Sequence, residues 1–351
     1  MPEQKIAIVL FQLGGPDSLE AVEPFLRNLF LDPDIIDFPF AFLARPLLAK
    51  FISSRRAPKV QINYKLIGGK SPILELTRRQ AHALEQQLAA NNVDTKVFLA
   101  MRYSHPMTED VVREIQRGNF TNILLLPLYP HYSQATTFSS VNEWNRWTKK
   151  LHLNLPTQLV CCYPDHPLFV DALVENIHLA LQKYSRKETV ELVFSAHGVP
   201  VSYIEKGDPY QSHIEETVRL VVQRGGWKNP HTLCYQSKVG PMQWLKPSLI
   251  ETVQHLADQG RKQLLVIPVA FVTDHIETLH EINIDARERA MKAGIEQFEL
   301  MPALNDHPKF IACLTDLALK QISQPVPRTT CMLLRNRQSK NPCPVKCPQM
   351  Q

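Results

Sequence analysis

The chain has 351 residues, 44% of them hydrophobic and 21% charged, which fits a globular protein large enough for two domains and excludes a disorder-type composition. Its 39 basic and 34 acidic residues leave a formal charge of only +5, and the basic residues are dispersed, so no nucleic-acid partner is expected. Seven cysteines do not make a secreted disulfide framework, and no apolar run reaches the roughly 18 residues of a membrane span, so a cytosolic protein is expected.

The first strand signal is KIAIVLFQL, a short apolar run that ends in a Gly-Gly-Pro turn and not in a signal-peptide cleavage site. Residues 38–52, FPFAFLARPLLAKFI, follow as an amphipathic stretch, read either as a buried helix or as an exposed apolar lip able to dip into lipid. ALEQQLAANN then has helical periodicity, TKVFLAMRY and TNILLLPLY are buried-type strands, and ETVELVFSA, HTLCYQS and KQLLVIPVAF repeat that character after residue 187, with LIETVQHLADQG as a helix between the last two. Strands alternating with helices predict an α/β fold with parallel sheets covered by helices.

The two halves echo each other. IAIVLFQLGGP (6–16) is similar to VELVFSAHGVP (190–200), and TNILLLPLYPHYSQATT (121–137) to KQLLVIPVAFVTDHIET (262–278). Two similar α/β lobes with a cleft between them are expected. Their expected bounds are 1–155 and 156–323, the end of the second packing back on the first, followed by a Cys- and Pro-rich tail over 324–351.

The strand ends carry the chemistry. His197 follows VELVFSA and should sit at the mouth of a sheet, with Gly198 allowing an unusual turn. After Thr273, an α-helix would stack Asp274, Glu277, Glu281, Asp285 and Glu288 on one face, with His275 and His280 nearby. A solvated face is the ordinary explanation of such a run, but these acids begin where a buried strand ends, where open α/β sheets place ligands. Their spacing matches no closed zinc site, and Gly14-Gly15-Pro16 matches neither a dinucleotide nor a Walker fingerprint.

FSAHGVP, YQSKVGPMQWLKP, PVAFVTDHIETLHEI, PLYPHYSQATT, MRYSHPMTE and INYKLIGGKSPI together resemble ferrochelatase, the family that inserts ferrous iron into a porphyrin to make heme. The resemblance spans nearly residues 5 to 320 and implies a two-lobed, Rossmann-like fold with the macrocycle in the cleft. It implies catalytic roles for His197 and Glu277, which with Asp274, His275, Glu281 and Asp285 would line the route of metal or protons. Arg55, Tyr64, Ser71, Arg102, Tyr103, Tyr132 and Trp244 fall at motif positions that line or support the pocket, and Leu13 stands where some members carry Met. The substrates implied are ferrous iron and protoporphyrin IX, with coproporphyrin, a cobalt or nickel chelatase and a non-catalytic tetrapyrrole carrier as the alternatives. The lip implies contact with a membrane surface, placing a cytoplasmic protein on the inner membrane.

Cys331, Cys343 and Cys347 lie in the basic tail. Three free surface thiols are one reading. A [2Fe–2S] cluster, carried by some ferrochelatases near a cysteine-bearing C-terminus, or a structural zinc site, would need a fourth ligand, for which Cys162 or its neighbour Cys161 is the candidate.

Overall fold

The computed structural model describes residues 5–35, 41–237 and 242–324, and only the backbone of 41–43. These residues form two α/β units. One holds 5–163 and 311–324, the other 164–310.

The sheet of the first unit is built from β1 (Ile6–Gln12), β2 (Thr95–Met101), β3 (Asn122–Pro127) and β4 (Thr157–Leu159), all parallel in the order β2-β1-β3-β4. All seven residues of β1 are buried, as expected of a parallel strand covered by helices on both faces. Phe11 packs on Trp144 with ring centroids 6.1 Å apart, and Val112 and Ile115 from helix Thr108–Arg117 join that core. Ala49, Ser53 and Ala57 form a buried stripe of small residues along helix Ala41–Leu66, which packs against helix Val22–Leu31. The chain re-enters this unit at Ile311, where Thr315 Oγ1 donates to Gln87 Oε1 (2.8 Å) and Gln158 Nε2 donates to the Gln321 carbonyl (3.0 Å).

The second unit repeats the arrangement with β5 (Glu191–His197), β6 (His231–Gln236), β7 (Gln263–Pro268) and β8 (Gln297–Leu300), again all parallel, in the order β6-β5-β7-β8. The fold is therefore two similar four-stranded parallel sheets flanked by helices. The internal echo extends past the strands, because a π-helix follows β3 at Gln134–Phe138 and another follows β7 at Glu277–Ala286. Leu13 occupies in the first repeat the place that His197 takes in the second.

The second π-helix corrects the α-helix expected after Thr273. Of the five acids expected on one face, Glu277, Glu281 and Asp285 lie on the π-helix, Asp274 precedes it, and Glu288 belongs to the following α-helix Arg287–Lys292, where it pairs with Lys292 at 2.5 Å. A π-turn closes i→i+5 hydrogen bonds, so a four-residue step falls just short of a turn and keeps the three acids near one side. Ile282 and Ala286, both 0% exposed, anchor the other side against Val193, Leu264 and Phe298.

Candidate active site

β5 ends at His197, whose side chain is 35% exposed. Its Nδ1 lies 2.5 Å from the Gly198 carbonyl, an acceptor, so Nδ1 carries the hydrogen and the neutral ring keeps its lone pair on Nε2. Nε2 faces Glu277 Oε1 at 3.7 Å, and His275 Nε2 faces Glu277 Oε2, also at 3.7 Å. Both separations are ionic and exceed hydrogen-bond length. The Tyr210 hydroxyl donates to the His197 carbonyl (3.0 Å), and the rings of Trp244 and Phe271 flank the imidazole with centroids 6.4 and 6.3 Å away. Gly198 suits a close approach: a Cβ there would come 3.0 Å from the Gln236 carbonyl and 3.2 Å from Trp244 Cε3, so those neighbours would have to shift slightly.

The charges in this group are assigned by their surroundings. Burial pushes the Glu277 carboxyl up, but the imidazoles of His197 and His275 outweigh it and hold the group below the usual carboxylate value. Burial pulls His275 down, yet Glu277, the Thr273 carbonyl at 2.9 Å and Asp274 raise it above the usual histidine value. Glu277 is thus an anion that faces both imidazoles.

Glu281 differs. Burial first, and then repulsion from Glu277, push its carboxyl up to about 7, against the Ser237 hydroxyl, which donates to it at 2.5 Å. The folded chain binds this proton more tightly than an unfolded chain with a value of 4.5, so the stabilisation is complete below that value and is lost as pH rises through about 7. Glu281→Gln, neutral at every pH, is therefore expected to unfold at higher denaturant than wild type at about pH 8 and to lose that advantage near pH 5. A pH-independent difference between the two midpoints would contradict the assignment.

The other acids expected here are engaged elsewhere. Asp274 accepts from Thr278 Oγ1 (2.9 Å), Asn305 Nδ2 (2.8 Å) and the Ala303 amide (3.3 Å), and so ties the loop after β7 to the loop after β8. Asp285 faces the buried His280, with 3.4 Å between Oδ2 and Nδ1. Among the described residues no group of three or more His, Cys, Asp and Glu side chains is arranged to hold a metal ion.

Of the residues expected to line the pocket, Trp244 lies in the same unit as His197 and packs its ring 6.4 Å from the imidazole. The rest lie in the first unit. Arg102 and Tyr103 belong to a buried network around Asp32, whose Oδ2 receives Arg102 Nη2 (2.8 Å), the Tyr103 hydroxyl (2.6 Å) and the Ser139 hydroxyl (2.5 Å). Burial and the Asp32 charge raise the Tyr103 phenol well above its usual value, so it remains a donor. Tyr64 is buried, Ser71 is buried and accepts from the Ile73 amide (3.4 Å), and Tyr132 packs with Cys161, Cys162 and Phe138. The Leu13 amide is held by Gln12 Oε1 (3.0 Å), and Arg55 is exposed over the Phe51 ring. Cys162 is 1% exposed, while Cys331, Cys343 and Cys347 lie outside the described residues.

Sequence reasoning missed Gln236, Ser237 and Asp32. The first two stand inside the YQSKVGP motif, which was the available signal; nothing local marks Asp32.

The chain matches the Ferrochelatase family over residues 5–322. It is 50% identical to a ferrochelatase of Geotalea uraniireducens (strain Rf4) over 323 residues, 92% of this chain and 99% of that protein. It is 46% identical to a ferrochelatase of Trichodesmium erythraeum (strain IMS101) over 92% of this chain and 84% of that one. Among solved structures, SirB from Bacillus subtilis with Fe3+ superposes with a TM-score of 0.54 at 11% identity, covering 91% of this chain and 96% of the other, a likeness of fold alone. A family match that begins at Lys5 and ends at Ile322, together with half-identical relatives aligned almost end to end, establishes that this chain belongs to the ferrochelatase family.

Proposed function

We propose that the chain inserts ferrous iron into protoporphyrin IX to give protoheme in heme synthesis. The observation that carries this reading is a part-exposed His197 facing an anionic Glu277 at 3.7 Å, beside a Glu281 whose carboxyl is pushed up to about 7. Insertion of a divalent ion displaces two pyrrole N–H protons, so the balanced reaction is Fe2+ plus free-base porphyrin giving metalloporphyrin and two H+. His197 Nε2 accepts a proton from the ring face, Glu277 stabilises the imidazolium that forms, and Glu281 takes up and releases protons at neutral pH. Trp244 and Phe271 hold the imidazole edge-on and limit its rotation. Binding the macrocycle in a ruffled form would expose a nitrogen lone pair to iron, favouring the transition state over the flat substrate. Arg55 and Ser71 are proposed partners of the propionates.

The test is anaerobic turnover with ferrous iron and either protoporphyrin IX or coproporphyrin III. Faster protoheme formation is the expected result. Turnover of coproporphyrin alone would correct the substrate, and turnover of neither would overturn the reading.

Membrane delivery of the porphyrin is a further part of the proposal. Leu47, Leu48 and Phe51 are 76%, 37% and 56% exposed on helix Ala41–Leu66, with Arg55 over the Phe51 ring, an apolar group rimmed by positive charge. Among the described residues no helix is long and apolar enough to cross a membrane, so the contact proposed is a surface one, on the inner membrane of a cytoplasmic protein. Replacing Leu47, Leu48 and Phe51 together by Ser is expected to weaken binding to anionic liposomes by about tenfold or more, with helical content unchanged. Loss of the fold would make these residues core. A [2Fe–2S] cluster on Cys162 and the tail cysteines is proposed from the sequence resemblance, and iron with acid-labile sulfide content checks it.

A further inference from the structure

The end of β6 holds the π-helix at two successive turns. Gln236, 6% exposed, uses both ends of its amide: Oε1 accepts the Ser195 hydroxyl (2.7 Å) and Nε2 donates to the Glu277 carbonyl (3.4 Å). Its backbone carbonyl also accepts the Gly198 amide (2.7 Å), immediately beyond His197. The next residue, Ser237, adopts φ 64° and reaches Glu281 with its hydroxyl, four residues further along the π-helix. Ser195 stands two residues before His197 on β5, so the two side chains share a strand face. One buried side chain therefore touches the strand that carries the base and the helical turn that carries its carboxylate partner.

We propose that Gln236 is a positioning residue for iron insertion, setting the separation of His197 Nε2 and Glu277 Oε1 by clamping the first π-turn to β5. The inference rests on the proposed function. A π-helix has few internal resources to fix its own phase, because it is rare and stabilised by its surroundings. Without the clamp the Glu277 carbonyl loses its tie to β5 while the rest of the π-helix stays anchored, and misplacement of the carboxylate by about 1 Å costs on the order of 10²-fold in rate. Gln236 exerts this effect through Glu277 and makes no contact with substrate.

The experiment compares Gln236→Leu and Ser195→Ala, each alone and combined with Glu277→Gln, reading kcat, porphyrin Kd and thermal midpoint on the full chain. Gln236→Leu is expected to lower kcat roughly 10- to 100-fold, and Ser195→Ala about threefold, with porphyrin Kd within about twofold of wild type. In the Glu277→Gln background each change should alter kcat by less than about twofold, because the group being positioned is already lost. A purely structural residue would lower the midpoint and weaken porphyrin binding, and its effect would multiply with Glu277→Gln; that pattern, or near-wild-type kcat for either variant, overturns the proposal. If Gln236→Leu does not fold, the Ser195→Ala cycle decides. A wild-type chain that inserts no iron would overturn the proposed function itself, whereas an active wild type with an unaffected Gln236→Leu overturns the positioning role alone.

Discussion

His197→Ala is expected to lower iron insertion by roughly 10³-fold or more while leaving porphyrin binding measurable. The expectation comes from how the ring is held. Nδ1 is committed to the Gly198 carbonyl, so Nε2 is the basic nitrogen, and the 35% exposure of the side chain leaves it reachable. His275 cannot substitute, because it is 5% exposed, its Nδ1 is hydrogen-bonded to the Thr273 carbonyl, and its Nε2 faces Glu277. Alanine therefore removes the base without supplying another, and the vacated space beside Trp244 and Phe271 should admit free imidazole. Partial rescue by added imidazole, with porphyrin binding followed by fluorescence quenching, is the accompanying result. Turnover above about a tenth of wild type would remove His197 from the role of base.

Six of the eight strands among the described residues could be read from the sequence because each is a short, largely apolar run set between polar or turn-forming residues. β4 has three residues and β8 four, QFEL, and neither offers enough apolar length to stand out from a loop. The π-helix was hidden for a different reason. Acids four residues apart suit an α-face and a π-face almost equally, so spacing locates the ridge without defining its turn. The histidines show the same limit. His197 was visible from its place at a strand mouth, but the inward rotation of His275 toward the Thr273 carbonyl depends on a loop whose path local sequence does not encode. Asp274 had the right charge and neighbourhood, yet three hydrogen bonds to Thr278, Asn305 and Ala303 engage it in joining two loops. Arg102 and Tyr103 likewise fall at expected positions, but their anchor, Asp32, is about 70 residues away and carries no motif.

Glu277→Gln should lower turnover by about 10²-fold, whereas Glu288→Gln should stay within about twofold of wild type. Glu288 lies on the α-helix beyond the π-helix and is exposed beside Lys292, so its amide changes only a surface pair. Glu277 is flanked by two imidazoles at 3.7 Å, and its amide removes the anion that stabilises an imidazolium at His197. It also strands His275, whose raised value depends on that anion once burial is set against it. The stabilising pair exists above the unfolded carboxyl value of 4.5, because Glu277 is held lower when folded, and is lost as pH rises through the raised value of His275. Glu277→Gln should accordingly cost most stability inside that window and less at alkaline pH, while its defect in turnover persists where the folded variant is fully populated. Equal turnover for the Glu277 and Glu288 variants would mean that the acidic ridge serves the fold as a whole and that no single carboxylate is paired with the base.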